Sequence, residues 1–394
     1  MYSPHKHSYL HLRSSGVNPR IINRAVNLAR EQPTIDPGDF EPPWNRLTSE
    51  QPCSPTKNVD STRRPLAFGK LAIPKLCREL HSDDLEVVKA AITSFVDVLH
   101  DPEKGYQALR IRVPDRMADL LVHDEPDIRE RTCMALTIVS GLADGKAAIA
   151  QNKTILGNLS CLLNDSEAAV RLKAAECLYM LSEFWPIADE LIEFGYVPIL
   201  LNHVCEDIEE VATIHLHTLD ALMYGYEGVE HALEHNGFEI FCSMIDGDLA
   251  SLKASSLKCL SKLLATPHGK QMAYDADLLD DLNRLLHYEE SDVYGASASA
   301  IMFATIKSAA KIKAIQLKRL PHRLVKLCHD SEHPLTKLQC IQALTNICEH
   351  PQTRQLVCGT YYDTLENLQV GDEEELIAAH NNLMKGLNWT PQQG

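Results

Sequence analysis

Seven times along this chain a small residue stands directly before a large apolar one, at near-constant spacing. The pairs are Ser94-Phe95, Ala135-Leu136, Cys177-Leu178, Ala221-Leu222, Cys259-Leu260, Ala300-Ile301 and Ala343-Leu344, with first members 41, 42, 44, 38, 41 and 43 residues apart. Seven residues before the first members come Val87, Ile128, Val170, Ile214, Leu252, Val293 and Thr336. Seven residues are two helical turns, so each such residue shares a face with its pair. A weaker eighth unit carries Asn382-Leu383. A period near 41 describes stacked supersecondary units, none of which can bury its own apolar face alone.

A second helix lies upstream of each pair. Four of these open on an apolar-Pro step: Ile73-Pro74, Val113-Pro114, Val197-Pro198 and Leu320-Pro321. Pro at the first helical position costs no hydrogen bond and pre-sets φ. Acidic turns such as "HDEPDI", "NDSEAAV" and "EDIEEV" follow. Carboxylates there can cap free N–H groups and complement the helix dipole. Shorter third helices come after the pairs, and Gly195 and Gly237 are placed to end two of them. The small residue lets neighbouring helices approach, and the large one fills the core they share. These features predict an all-α armadillo-repeat α-solenoid of about seven to eight repeats over residues 65–390.

Residues 1–64 read differently. Pro recurs at 4, 19, 33, 37, 42, 43, 52 and 55. Such a segment buries little apolar surface alone and predicts a largely irregular extension. One helix is expected over about 18–31, with Asn18 as N-cap and Pro19 at the first position. "DFEPPWNRL" sets Phe40, Trp44 and Leu47 on a stiff Pro-Pro frame, as candidate anchors to a protein surface.

Composition narrows the function. Hydrophobic residues make up 45% and aromatics only 6%, which suits helices packed through aliphatic side chains. No apolar run reaches the roughly 18 residues of a membrane-spanning helix, and the N-terminus lacks the apolar core of a secretory signal. The 12 Cys are scattered with no CxxC pair, so they are expected as reduced, buried small hydrophobes of a cytosolic protein. The net charge of −16 is uneven: residues 1–64 hold nine Lys/Arg against six Asp/Glu. An acidic body argues against nucleic acid and favours basic protein segments.

Chemistry-bearing motifs are sparse. "HALEH", His231 to His235, matches the HxxEH pattern of inverted zinc peptidases, with two His one turn apart. It sits directly before a Gly stop with no Glu-rich partner helix downstream, so it reads as a solvated helix face without a metal. His215 and His217 sit two apart and face different ways. No phosphate-binding Gly loop and no Gly-x-Ser-x-Gly elbow occurs. Nothing marks a catalytic centre, a cofactor or a small-molecule substrate. Ser3, Ser54 and Thr390 each precede Pro and are candidate phosphosites.

Three residues after each small member lies a slot occupied by Asp97, Ile138, Met180, Tyr224, Lys262, Phe303 and Asn346. An Asn ladder in this slot, backed by Trp, is how nuclear-import receptors hold an extended basic peptide. Here Asn occurs once, and the only Trp residues are 44, 185 and 389. The seven slot residues are expected to form a mixed protein-binding surface, suited to one specific helix or folded partner.

The stretch from Leu66 to Leu109 carries Phe68-Gly69, Ile73-Pro74-Lys75-Leu76, Glu79-Leu80, Ser82-x-Asp84-Leu85 and His100-Asp101-Pro102-Glu103. In these it resembles the radial spoke head 14 homologue family, also called rhabdoid tumour deletion region protein 1. The resemblance runs through the repeats to about Trp389; residues 1–64 lie outside it. It implies an armadillo-repeat subunit of the axonemal radial spoke in motile cilia and flagella, with cytoplasmic and axonemal localisation. It further implies spoke partners, such as the radial spoke protein 3 scaffold, and supplies no catalytic residues. The expected function is a non-catalytic scaffold. The alternative is a soluble armadillo adaptor, for cargo or signalling, that binds peptide segments.

Overall fold

The computed structural model describes residues 71–317 and 319–389. The extension 1–64 lies outside the described residues, and with it the helix over 18–31, Phe40, Trp44, Leu47, Ser3 and Ser54. Thr390 lies outside them too.

The described residues form twenty-two helices and no strand. The first unit is α1 (Ala72–Glu79) and the long α2 (Leu85–Leu99). Each later unit adds two short helices and a long one. They are α3 (Pro102–Arg110), α4 (Val113–Leu120) and α5 (Pro126–Ser140); α6 (Ala143–Gln151), α7 (Lys153–Leu162) and α8 (Ala168–Ser182); and α9 (Trp185–Phe194), α10 (Tyr196–Val204) and α11 (Glu209–Leu222). Then follow α12 (Tyr226–Glu234), α13 (Gly237–Asp246) and α14 (Ala250–Ala265); α15 (Pro267–Asp275), α16 (Leu278–Leu285) and α17 (Ser291–Ala304); and α18 (Ser308–Gln316), α19 (Arg319–Asp330) and α20 (Pro334–Cys348). The chain closes with α21 (Pro351–Glu366) and α22 (Glu374–Leu387). The long helices pack in sequence, α2 on α5, α5 on α8, and so on to α20 on α22. The second short helix of each unit packs on the long helix after it.

Ala135, Cys177, Cys259, Ala300 and Ala343 are fully buried together with their large partners, so the pair builds the shared core. Ser94 is exposed, because no long helix precedes α2 among the described residues. One pair is corrected. In α11 Ala221 is only half-buried, and Thr218-Leu219 fill the buried slots. The spacings around it become 41 and 41 instead of 44 and 38. The residue seven before is then the buried Val211, not the half-buried Ile214. The glycines agree: a Cβ on Gly145, Gly228 or Gly269 would sit 2.0, 2.1 and 2.1 Å from the carbonyls of Val139, Leu222 and Leu263. Each carbonyl lies three residues after a large member, here Leu136, Leu219 and Leu260. Thr218 hides in the sequence because it looks polar. Its hydroxyl is satisfied within its own helix, donating to the Ile214 carbonyl at 2.9 Å, and its methyl does the packing.

Because backbone is the obstacle at Gly228, Gly228→Ala should cost about 1–3 kcal/mol by overpacking. A urea unfolding midpoint equal to that of the parent would disprove the close approach.

Two expectations about helix ends change. The apolar-Pro steps place Pro at the second or third helical residue, still within the first turn where no N–H partner is lost. Gly195 ends α9 in the left-handed region at φ 94°, as expected. Gly237 instead begins α13; the left-handed residue is Asn236 at φ 60°, matched 41 positions on by Asp277 at φ 55°. Short polar side chains tolerate that conformation.

The acidic turns also work differently. Asp84 and Asp101 do cap α2 and α3, accepting from the Glu86 and Glu103 N–H groups at 3.0 Å each. Glu125, Glu167 and Glu290 stand at N-cap positions without such a bond. The turns mainly serve cations of the preceding repeat. Arg129 donates to both Asp165 oxygens at 2.7 and 2.8 Å, and to the carbonyls of His123 and Asp124 at 2.8 Å each. Arg171 repeats this one unit on, gripping Asp207 at 2.9 Å and the Asp165 carbonyl at 2.9 Å. Lys89 reaches Glu125 at 3.0 Å. Burial works most strongly against the charge on Asp165, but the Arg129 hydrogen bonds, the Glu167 N–H bond and the charges of Arg129 and Arg171 together hold its pKa below the ordinary value.

Six described Cys are fully buried, but Cys161 and Cys205 are exposed, contrary to the expected burial. Burial pushes Cys177, Cys242 and Cys348 up to about 12, so these thiols behave as small hydrophobes.

Candidate protein-binding face

The long helices present their slot residues in one row, each a turn beyond the buried pair. Asp97 is exposed; Ile138, Met180, Lys262, Phe303 and Asn346 are half-buried. Tyr224 does not belong to this row. The corrected register puts Ala221 there, and Tyr224 falls past the end of α11, with its hydroxyl donating to Asp189 Oδ1 at 2.5 Å.

Two row positions, Lys262 and Asn346, are tied to neighbouring units, and Met180 is tied within its own. Lys262 pairs with Asp220 at 3.0 Å and also donates to the Asp220 carbonyl. Met180 offers its carbonyl to Lys146 Nζ at 2.6 Å. Asn346 Nδ2 donates to the Met302 carbonyl at 2.9 Å and reaches Thr305 Oγ1 at 3.5 Å. The one Asn that could have held a ligand backbone therefore links α20 to α17.

Phe303 and Lys262 line a groove of about 560 Å³ across α14, α17 and α20, with Leu335 on its far wall. Its floor is made of small residues, Gly295 and Ser299. A Cβ on Gly295 would lie 2.9 Å from Thr336 Oγ1, so glycine lets α17 and α20 close up. A second groove of about 490 Å³ lies between α20 and α22, with Asn346, Gln342 and Asn382 among its walls. Lys258, Ser299 and Gln342, each one helical turn before a slot residue, line these grooves too. Sequence reasoning stopped at the slot; counting back four residues would have found them.

The histidines separate as expected. His215 is buried 6.1 Å from the His203 ring, while His217 is half-buried with Nε2 3.2 Å from Ser255 Oγ. His231, Glu234 and His235 bring three ligand atoms within 4.8 Å of one another on the last turn of α12. They could share a divalent ion, but no fourth His, Cys or carboxylate joins them among the described residues.

Residues 155–185, which run from α7 through α8 to the start of α9, match the family model described as HEAT repeat. Among solved structures, an engineered protein aligns over 80% of this chain and 78% of its own, at 18% identity and TM-score 0.71. A designed armadillo repeat protein in complex with the peptide (KR)4 aligns over 59% of this chain and 99% of its own, at 16% identity and TM-score 0.54. A structure described as computationally designed armadillo repeat proteins for modular peptide recognition gives 59%, 99%, 16% and 0.55. The fold is a HEAT/armadillo-type repeat solenoid. At these identities the likeness speaks for the fold alone. An armadillo-type array of this kind suits protein–protein interaction.

Proposed function

We propose that this chain is a non-catalytic scaffold subunit of the axonemal radial spoke in motile cilia and flagella. It joins spoke proteins, such as the radial spoke protein 3 scaffold, through its long-helix face. The observation that carries the scaffold reading is the chemistry of that face. A row that runs from Asp97 through Phe303 to Asn346 has no repeated peptide-holding group, and its one Asn is spent on α17. Such a surface recognises one partner by shape and a few anchors rather than a series of extended peptides. The placement in the spoke rests on the resemblance of residues 66–109 and the repeats after them. Residues 1–64, with Phe40, Trp44 and Leu47, would act as a clamp on a partner.

High-salt extraction of purified axonemes tests this. The protein should stay with the other spoke proteins. If it washes out alone with soluble matrix, the adaptor reading replaces ours.

A further inference from the structure

From residue 174 to residue 252 the chain contains sixteen Asp/Glu and not one Lys or Arg. This span runs from α8 to the start of α14. Two turns within it carry exposed rings at equivalent points of successive repeats. Phe184 and Trp185 stand where α8 gives way to α9, 43% and 61% exposed. Tyr224 and Tyr226 stand where α11 gives way to α12, 50% and 69% exposed. The Tyr224 bond to Asp189 of α9 brings the second turn against the first repeat. Four rings on one edge is a large apolar exposure for a chain with 6% aromatics.

Elsewhere four exposed or half-buried rings lie under the protein's own cations. Arg354 lies over Trp389 at 4.9 Å, Lys307 over Tyr274 at 5.2 Å, Lys253 over Tyr288 at 5.3 Å and Arg323 over Tyr294 at 5.9 Å. Among the described residues no cation lies over the four rings of this edge. In sequence the nearest are Lys173, held by Glu176 at 2.8 Å, and Lys253, buried against the Ile245 carbonyl. Lys153 meets Glu190 at 3.9 Å and reaches no ring. Around the rings stand Glu183, Glu227 and Glu230, all exposed.

We propose that this edge is the docking site for a Lys/Arg-rich segment of a partner protein. The rings take the aliphatic stems and cationic heads, and the glutamates take the remaining charge. The edge lies at the ends of the long helices, distinct from the long-helix grooves, and draws from the scaffold reading only that its ligand is a protein.

The test is fluorescence anisotropy of a labelled octapeptide of alternating Lys and Arg with the full chain, at low salt and at about 0.15 M. The parent should bind, more weakly at higher salt. Trp185→Ala with Tyr226→Ala should lose roughly tenfold or more in affinity. Glu227→Gln with Glu230→Gln should lose several-fold. Asp372→Asn with Glu373→Gln, which removes equal charge elsewhere, should change affinity less than about twofold. Phe303→Ala in the long-helix groove should leave binding intact. The proposal falls if the parent does not bind, if the ring variant binds like the parent, or if the distant charge variant or Phe303→Ala weakens binding as much. All substituted residues except Phe303 are exposed, and helical circular dichroism checks that each variant folds. Axoneme extraction is not involved, so a failure here leaves the spoke placement standing and the reverse.

Discussion

Thr218→Arg should unfold the middle of the array, while Ala221→Arg, three residues on in the same helix, should be nearly silent. Thr218 is 1% exposed at the contact of α11 with its neighbours. An arginine there buries a charge with no partner, at a cost of about 3–5 kcal/mol. Ala221 faces the half-open row, where a long side chain can reach water, so its change should stay within roughly 0.5 kcal/mol. In a stacked array each unit is held by its neighbours, so the loss at Thr218 propagates to both sides. Urea unfolding of the two variants decides it. Equal loss in both would restore the Ala221-Leu222 register and with it Tyr224 as a member of the row.

The second large effect is a dependence on acid. Burial, followed by the charge of nearby His203, lowers the His215 pKa to about 4. Neither ring nitrogen has a hydrogen-bond partner. The unfolded chain takes up this proton near pH 6.5 and the folded one only near 4, so the unfolded state binds more protons in between. Stability is therefore full above about 6.5 and falls as pH drops from there toward 4, by about 3 kcal/mol in all. His215→Leu should flatten that part of the profile and cost nothing at pH 7, since it removes two unpaired nitrogens. The carboxylates titrate in both proteins, so the difference between parent and variant isolates the imidazole. Parallel profiles between pH 7 and 4.5 would show that His215 is not buried as described.

The period of the pairs was legible because it depends only on residue size, and size is printed in the sequence. The register failed at one unit because Thr218 does the work of an alanine while looking polar, and Ala221-Leu222 nearby imitated the motif. The clamps of Arg129 on Asp165 and Arg171 on Asp207 join residues 36 apart, which only stacking brings together. For the same reason the turns read as caps when their carboxylates belong to the neighbouring repeat. Asn346 was legible as an exception, but its engagement with Met302 was not, since a donor's partner depends on the approach of the next helix. The unaccompanied rings at Trp185 and Tyr226 were visible as letters; what could not be read was that no cation would lie over them.

The clamps also divide the array mechanically. Cationic ties run from Lys89 to Glu125, from Arg129 to Asp165 and from Arg171 to Asp207. At the next equivalent position stands Ala212, and after it Lys253, which turns to a carbonyl of its own unit. The first three joints thus share one charged clamp position, while the later joints carry their ion pairs elsewhere: Lys262 with Asp220, Arg284 with Asp246, and Lys313 with Asp277 and Asp280. The Asp165 and Asp207 carboxylates of the early clamps are buried, whereas those of the later pairs are more exposed. Concentrated salt would therefore loosen the later joints first and the Arg129 and Arg171 clamps last.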